Sequence, residues 1–358
     1  MATTWPTGSR RTFLKTSLLG GLGAAGAACW AVPGGAGDQP PLRPKTRVAL
    51  TAGDDHIDQV FRGLRTFQDE IARAIGDRRV VIKPNNVAID VPLSATHADC
   101  LEGILEFLKS IGKLDGAVIA ESAGMGPTLE GFANYGYPRV AAKYGVKLVD
   151  LDQEPPDVVH VFDQRDFRPR AVRMSRLLLD RNNFLISAAK VKTHDQVVAT
   201  LSLKNIIFGA PIKDLGFASR GRGTAGAKSD KPIAHGGGIR GINYNLFALA
   251  ERLHPDLAVI DGYEGMEGFG PTRGTPVEHR ICVVSRDWLA ADRVAVELMG
   301  IDFAKIGYLN YCAEAGLGEG DLQKIEIVGE PLARHVKTYQ LAPNIEHQLT
   351  WMTPPQPA

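Results

Sequence analysis

Lys190, Lys192 and His194 stand at alternate positions of "NFLISAAKVKTHDQVVATLSLKNIIFGAPIKD", residues 183–214, and Lys204 and Asn205 follow in the same apolar run. Alternate spacing puts the first three on one face for as long as the chain stays extended. Crowding and burial lower a lysine's pKa, which makes the amine a base or an imine-forming nucleophile. A lysine that stays charged there must find a carboxylate or an anionic ligand, because an unpaired buried charge is strongly destabilising. Lys204 is expected between Ile207 and Phe208, and Asp261, Glu267 and Glu121 are its internal carboxylate candidates. The expected catalytic set is Lys190, Lys192, His194 and Lys204.

Polar groups close three other apolar runs. "VVIKPNN" ends in Lys83, Asn85 and Asn86, "GAVIAESAGMG" in Glu121 and Ser122, and "LAVIDGYEGMEGFGP" in Asp261, Glu264 and Glu267. Ligands of open parallel sheets bind outside the carboxyl ends of the strands, so these ends point to one shared site. Lys83 and Asn85 are expected to join the lysines there, facing Asp261 and Glu267. Asp261 and Glu267 are also the expected metal ligands, with His194 and His235 beside them. Carboxylates with amide oxygens suit Mg²⁺ or Mn²⁺, and added histidine suits Zn²⁺ or Fe²⁺. A lone histidine such as His97 or His279 reads instead as a surface or satisfied core position.

The elements that must position these groups follow from the apolar runs. Strands are predicted at 47–50, 79–83, 117–121, 147–151, 184–188, 257–261, 280–284 and 324–328. Helices are predicted at 57–75, 98–111, 138–144, 198–208, 239–253 and 288–299. Strands apolar throughout are buried on both faces, which predicts an α/β fold: a largely parallel, mixed-edge sheet with helices on both sides, a Rossmann-like layering. Residues 157–173 read as a hairpin added to that sheet. A single domain is expected over 47–330, preceded by a linker at 37–46 and followed by a C-terminal extension, 331–358.

Between the fourth and fifth predicted helices lies a long Gly-rich insertion with Arg220, Arg222, Lys228 and Lys231, which reads as a cationic lid over an anionic ligand. It ends in "HGGGIRG", where His235 and bare backbone N–H groups precede a helix and favour anions.

Residues 1–36 read as a removable export signal. "SRRTFLK" has the pattern of a twin-arginine signal, and the Gly/Ala-rich run after it contains no acidic residue. The expectation is export by the twin-arginine translocase to a periplasmic or extracytoplasmic compartment, with no stable membrane span after processing. "GLGAAG" at 21–26 matches a dinucleotide fingerprint by letter only, because it lies inside this segment rather than between a strand and a helix. Gly26 occupies a position where lipidation of Cys29 would need a branched aliphatic residue. Cys100, Cys282 and Cys312 allow one disulfide and are too few for an in-chain iron–sulfur cluster. A net charge of +1 without basic–aromatic interleaving argues against nucleic acid as a partner. No G-x-S-x-G, H-E-x-x-H or Walker-type motif occurs.

"VVIKPNN", "KVKTHDQVVATLSLKNIIFGAP", the histidine before "NYNLFALAERLHPDLAVIDGYEGMEGFGP", and "LAADRVAVELMGID" together resemble the domain-of-unknown-function 362 family over residues 80–302. The resemblance implies an α/β core and no particular activity. Many relatives carry a ferredoxin-like cysteine segment that this chain lacks, which puts electron transfer in doubt. The family's motif positions fall on Lys83, Asn85, Lys190, Lys192, His194, Lys204, Asn205, His235, Asp261, Glu267, Gly268 and Gly270. Among them Lys83, Asn85, Asn205, His235, Gly268 and Gly270 are the expected cofactor-binding residues. Three functions fit: an enzyme for a small anionic carboxylate or phosphate with lysines at the strand ends, a divalent-metal enzyme using Asp261, Glu267 and His194, and a non-catalytic binder of an anionic solute.

Overall fold

The computed structural model describes residues 45–219 and 223–353. Its strands are β1 (Thr46–Ala52), β2 (Arg79–Pro84), β3 (Val118–Glu121), β4 (Lys147–Asp150), β5 (Pro156–Asp163), β6 (Arg168–Ser175), β7 (Asn183–His194), β8 (Val198–Thr200), β9 (Leu257–Phe269), β10 (Arg273–Ser285) and β11 (Ile325–Gly329). Nine of them form one sheet in the order β11-β1-β10-β9-β7-β2-β3-β4, with β8 attached to β7. From β9 through β4 all pairings are parallel, and β10 runs antiparallel to both of its neighbours. The expected mixed α/β sheet with Rossmann-like layering is the architecture found.

Every residue of β7 is buried, as the unbroken apolar run requires. Phe184, Ile186 and Ala188 pack with the helices His56–Arg65, Ala98–Ser110 and Tyr137–Tyr144 on one face. Leu185 and Val191 pack with Ser202–Gly209, Ile239–Ala250 and Trp288–Leu298 on the other. This alternation sets which face each residue of the apolar run serves.

Four expectations need correction. The helix predicted over 57–75 is two, His56–Arg65 and Gln68–Ile75, because Phe67 breaks the turn to enter the core beneath Arg47. The helix predicted from 198 starts at Ser202, since Val198–Thr200 pairs with Lys192–His194 as strand β8. Its first N–H groups, those of Ser202 and Leu203, are accepted by Asp292 at 2.8 and 3.2 Å, a cap supplied from ninety residues away. The hairpin β5–β6 pairs only with itself and stands as a separate two-stranded ribbon. In the Gly-rich insertion, Lys231 is buried and donates to the carbonyls of Gly209 and Pro211 at 3.2 and 2.7 Å, so it anchors the segment rather than facing a ligand.

Cys100, Cys282 and Cys312 are buried free thiols, without the disulfide the sequence allowed. Among the described residues no helix is long and apolar enough to cross a membrane. The twin-arginine motif, Cys29, Arg220 and Arg222 lie outside the described residues.

Candidate metal cleft and the lysine clusters beside it

The expected single site is divided into three at the carboxyl ends of the strands. The divider lies where β7 pairs with β9. Lys190 lies opposite Asp261 of β9, but Lys192 lies opposite Met266, so the register slips between two lysines only two residues apart. Such an irregularity re-aims side chains. Lys190 and Lys192 therefore serve different neighbours.

Lys192 belongs to a closed network of its own. Its Nζ donates to Asn85 Oδ1 and to the carbonyl of Ser94. Asn85 donates to Asn205 Oδ1 at 3.1 Å, and Asn205 donates to the Lys83 carbonyl at 3.1 Å and to Ser187 Oγ at 3.0 Å. Lys83 Nζ, also buried, bonds Glu121 at 2.8 Å, the Pro84 carbonyl at 2.8 Å and Asn205 at 3.1 Å. Glu121 accepts two backbone N–H groups besides, from Asn86 and Ser122. The helix comes this close because residue 209 is glycine: a Cβ there would sit 1.8 Å from Lys83 Cε. Burial pushes the Lys83 pKa down, and Glu121 opposes the shift. Lys192 is pushed down further by burial and by the charges of Lys204, Lys190 and Lys83.

Lys190 and Asp261 face the first helical layer. Asp261 is fully buried, 3.9 Å from Lys190 Nζ, and accepts from His56 Nε2 at 2.9 Å, Tyr263 N at 3.1 Å and His97 N at 3.4 Å. Burial opposes its ionisation, but Lys190 and His56 outweigh burial and hold the carboxyl below its ordinary range. His56 begins the helix capped by Asp55 and stacks on Tyr263, with ring centroids 4.4 Å apart and planes 9° apart. His97 caps the helix Ala98–Ser110, its Nδ1 accepting from Asp99 N at 3.1 Å. One ligand atom each from His56, His97 and Asp99 can lie within 4.8 Å of one another. They line a cleft of about 640 Å³ with Asp54, Asp55, Ile57, Lys190, Tyr263 and Glu264.

His56 and Asp99 escaped the sequence reading, and His97 was read as an ordinary position. "GDDHID" after the first strand and "THAD" before the helix Ala98–Ser110 place each histidine at a helix start. Neither segment signals its nearness to the other, because His56 and His97 lie 41 positions apart in the chain.

Lys204, His194 and His235 form the third group. Lys204 is 7% exposed and, among the described residues, its Nζ has neither a hydrogen-bond nor an ion-pair partner. It lies 5.4 Å from the Phe208 ring centroid, and Phe208 stacks on His235 at 4.7 Å. None of the expected acids reaches it: Glu121 pairs with Lys83, and Asp261 with His56 and Lys190. Glu267 accepts from Gln340 N at 2.8 Å, turned to the C-terminal segment and away from the metal-ligand role expected of it. Gly268 and Gly270 meet that segment and β7, not the lysines: Gly268 N donates to the Gln340 carbonyl, and a Cβ on Gly270 would lie 2.0 Å from the Thr193 carbonyl. Burial lowers the Lys204 pKa to about 7, with Asp195 the only opposing charge.

Comparison with known proteins adds a family and little chemistry. The model described as "Domain of unknown function (DUF362)" matches residues 80–297. The chain is 27% identical over 135 residues to the thylakoid-associated protein sll1697 of Synechocystis sp. (strain PCC 6803 / Kazusa). That similarity covers 38% of this chain and spans only 38% of the relative's length. No solved structure matches.

Proposed function

Because the chain belongs to the DUF362 family, whose description assigns no activity, we propose a function from the site itself: a divalent-metal-dependent enzyme whose ion is held by His56, His97 and Asp99. The observation that carries the reading is the hydrogen bond from His56 Nε2 to buried Asp261. Metal-ligating histidines usually give their other ring nitrogen to a carboxylate, which sets tautomer and orientation. Here that arrangement leaves His56 Nδ1 with its lone pair, whereas His97 Nδ1 accepts from Asp99 N, so its neutral ring carries the hydrogen on Nε2 and ligation through Nε2 would require the other tautomer and the loss of that cap. Two imidazoles, one carboxylate and open cleft beyond them are the donor set of a catalytic site with free coordination positions, suited to Zn²⁺, Fe²⁺ or Mn²⁺.

Asp261, proposed from sequence as a direct ligand, becomes the group that orients one. A bound ion would supply Lewis acidity or an acidified water. The chain's own part is to fix His56 through Asp261, to wall the cleft with the Tyr263–His56 stack, and to keep Lys190 at its lining as the cation for an anionic substrate group. Asp54, Asp55, Asp99 and Glu264 draw a cation in and, without one, oppose an anion.

The test is metal binding by the full chain, purified without chelator and titrated with Mn²⁺ and Zn²⁺. One ion should bind per chain, and His56→Ala with His97→Ala should abolish that binding. Unchanged stoichiometry in the double variant would refute the site. Export by the twin-arginine route is proposed as well, supported by "SRRTFLK". Arg10→Lys with Arg11→Lys should leave the precursor in the cytoplasm, and undiminished export would count against it.

A further inference from the structure

We propose a second site, independent of the metal, in which Lys204, His194, Thr200 and His235 bind a small oxyanion. Two polar groups there lack partners among the described residues, and one of them is fully buried. Lys204 has no partner among the described residues, and Thr200 Oγ1 is buried without one. Lys83 and Lys192, equally buried, are each held by two or more acceptors. Buried polar groups are nearly always paired, so unpaired ones ask for a bound group.

The fold brings these residues onto adjoining elements. Thr200 stands opposite Lys192 and Val198 opposite His194 in the β7–β8 pairing, and the helix bearing Lys204 starts two residues after β8. The turn is held in an unfavourable backbone state: Val198, a β-branched residue, has φ +65°. Strain of this kind persists where the surroundings over-determine it, and it gathers at ligand sites. Lys204 lowers the pKa of both His194 and His235 after burial does, and His235 lowers that of His194. Lys204 and His235 both lie against the ring of Phe208. Asp195 is the acid near them, 3.4 Å from His194 Nδ1.

The hydrogen-bond inventory indicates the ligand class. His194 Nδ1 accepts from Gln196 N at 3.0 Å, so its neutral tautomer carries the proton on Nε2 and is a donor. His235 Nδ1 gives its hydrogen to the Lys231 carbonyl at 2.6 Å, leaving Nε2 as an acceptor. Lys204 and the Thr200 hydroxyl add donors. Several donors and one acceptor suit an oxyanion that keeps a proton or hydroxyl, such as hydrogen phosphate or a 2-hydroxycarboxylate. Half-buried His235, next to exposed Ile233, marks the way in.

The experiment uses the full chain in excess EDTA, which empties the metal cleft and keeps the two proposals separable. Phosphate and lactate are titrated by calorimetry and by thermal unfolding. One of them should bind and raise the melting temperature. Lys204→Met should abolish that rise without lowering the melting temperature of the ligand-free protein. Thr200→Val, nearly isosteric, should fold normally and weaken binding by about 3–10-fold, the loss of one hydrogen bond. No binding of either anion to the unaltered chain, or full binding in both variants, would overturn the proposal.

Discussion

Lys83 and Lys204 are both buried beside the helix Ser202–Gly209, and the molecule treats them in opposite ways. Around Lys83 a carboxylate, a carbonyl and an amide complete the ammonium's three hydrogen bonds, and Glu121 in turn is saturated by backbone N–H groups. Around Lys204 there is an aromatic ring stacked on a histidine, and among the described residues its Nζ has no hydrogen-bond partner. A buried charge with a full set of partners organises the fold around itself. A buried amine without them costs stability, and its retention is better explained by a ligand than by structure. The lesson extends to Asp261, whose partners are all present yet whose His56 keeps one ring nitrogen free toward a cleft. Satisfied groups position, and the free atoms at their edge bind.

This contrast can be broken by experiment, most severely at Lys83. Lys83→Met should strand Glu121 in the core and destabilise the protein by about 3–5 kcal/mol in urea unfolding. Adding Glu121→Leu should recover a good part of that loss. A small effect of the single change would mean that Lys83 is as dispensable to the fold as Lys204 is expected to be.

Next in size is the orienting role of Asp261. Asp261→Asn keeps the volume and an acceptor for His56 but removes the charge, and metal affinity should fall about 10–100-fold. Calorimetric titration with Zn²⁺ checks it, and an unchanged affinity would leave Asp261 as a purely structural partner of Lys190.

The smallest effect sharpens the comparison through pH. The Lys204 pKa is about 7 in the folded protein against an ordinary 10.5. Between those values the unfolded chain holds a proton that the native one has lost. Stability should therefore rise with pH across this window, by at most about 1.4 kcal/mol per pH unit from this one group. Below pH 7 the native protein carries the full cost of the buried charge. Lys204→Met should flatten the rise in chemical unfolding measured from pH 7 to 10, whereas a slope identical to the unaltered chain's would show Lys204 to be charged and paired.

The sheet was legible because its evidence is local. Continuous apolar runs declare strands buried on both faces, and polar residues at their carboxyl ends declare where a ligand could lie. Lys83, Asn85, Lys190, Lys192, His194 and Asp261 are buried at or near strand ends, and Lys204 and Asn205 are buried on the helix after β8. Which of them meet was not legible. A register slip between β7 and β9, with its extra residues in β9, parts Lys190 from Lys192. Asp292 caps a helix far from it in the chain, and that helix sets the position of Lys204. His56 and His97 approach because two helices start side by side on one face of the sheet. By itself the sequence determined the α/β layering and the edge at which chemistry is placed, since hydrophobic periodicity acts over a few residues. Tertiary structure alone decided the partners: a charged group chooses among acids by distances of a few ångströms, and those depend on bulges, caps and helix packing from remote parts of the chain.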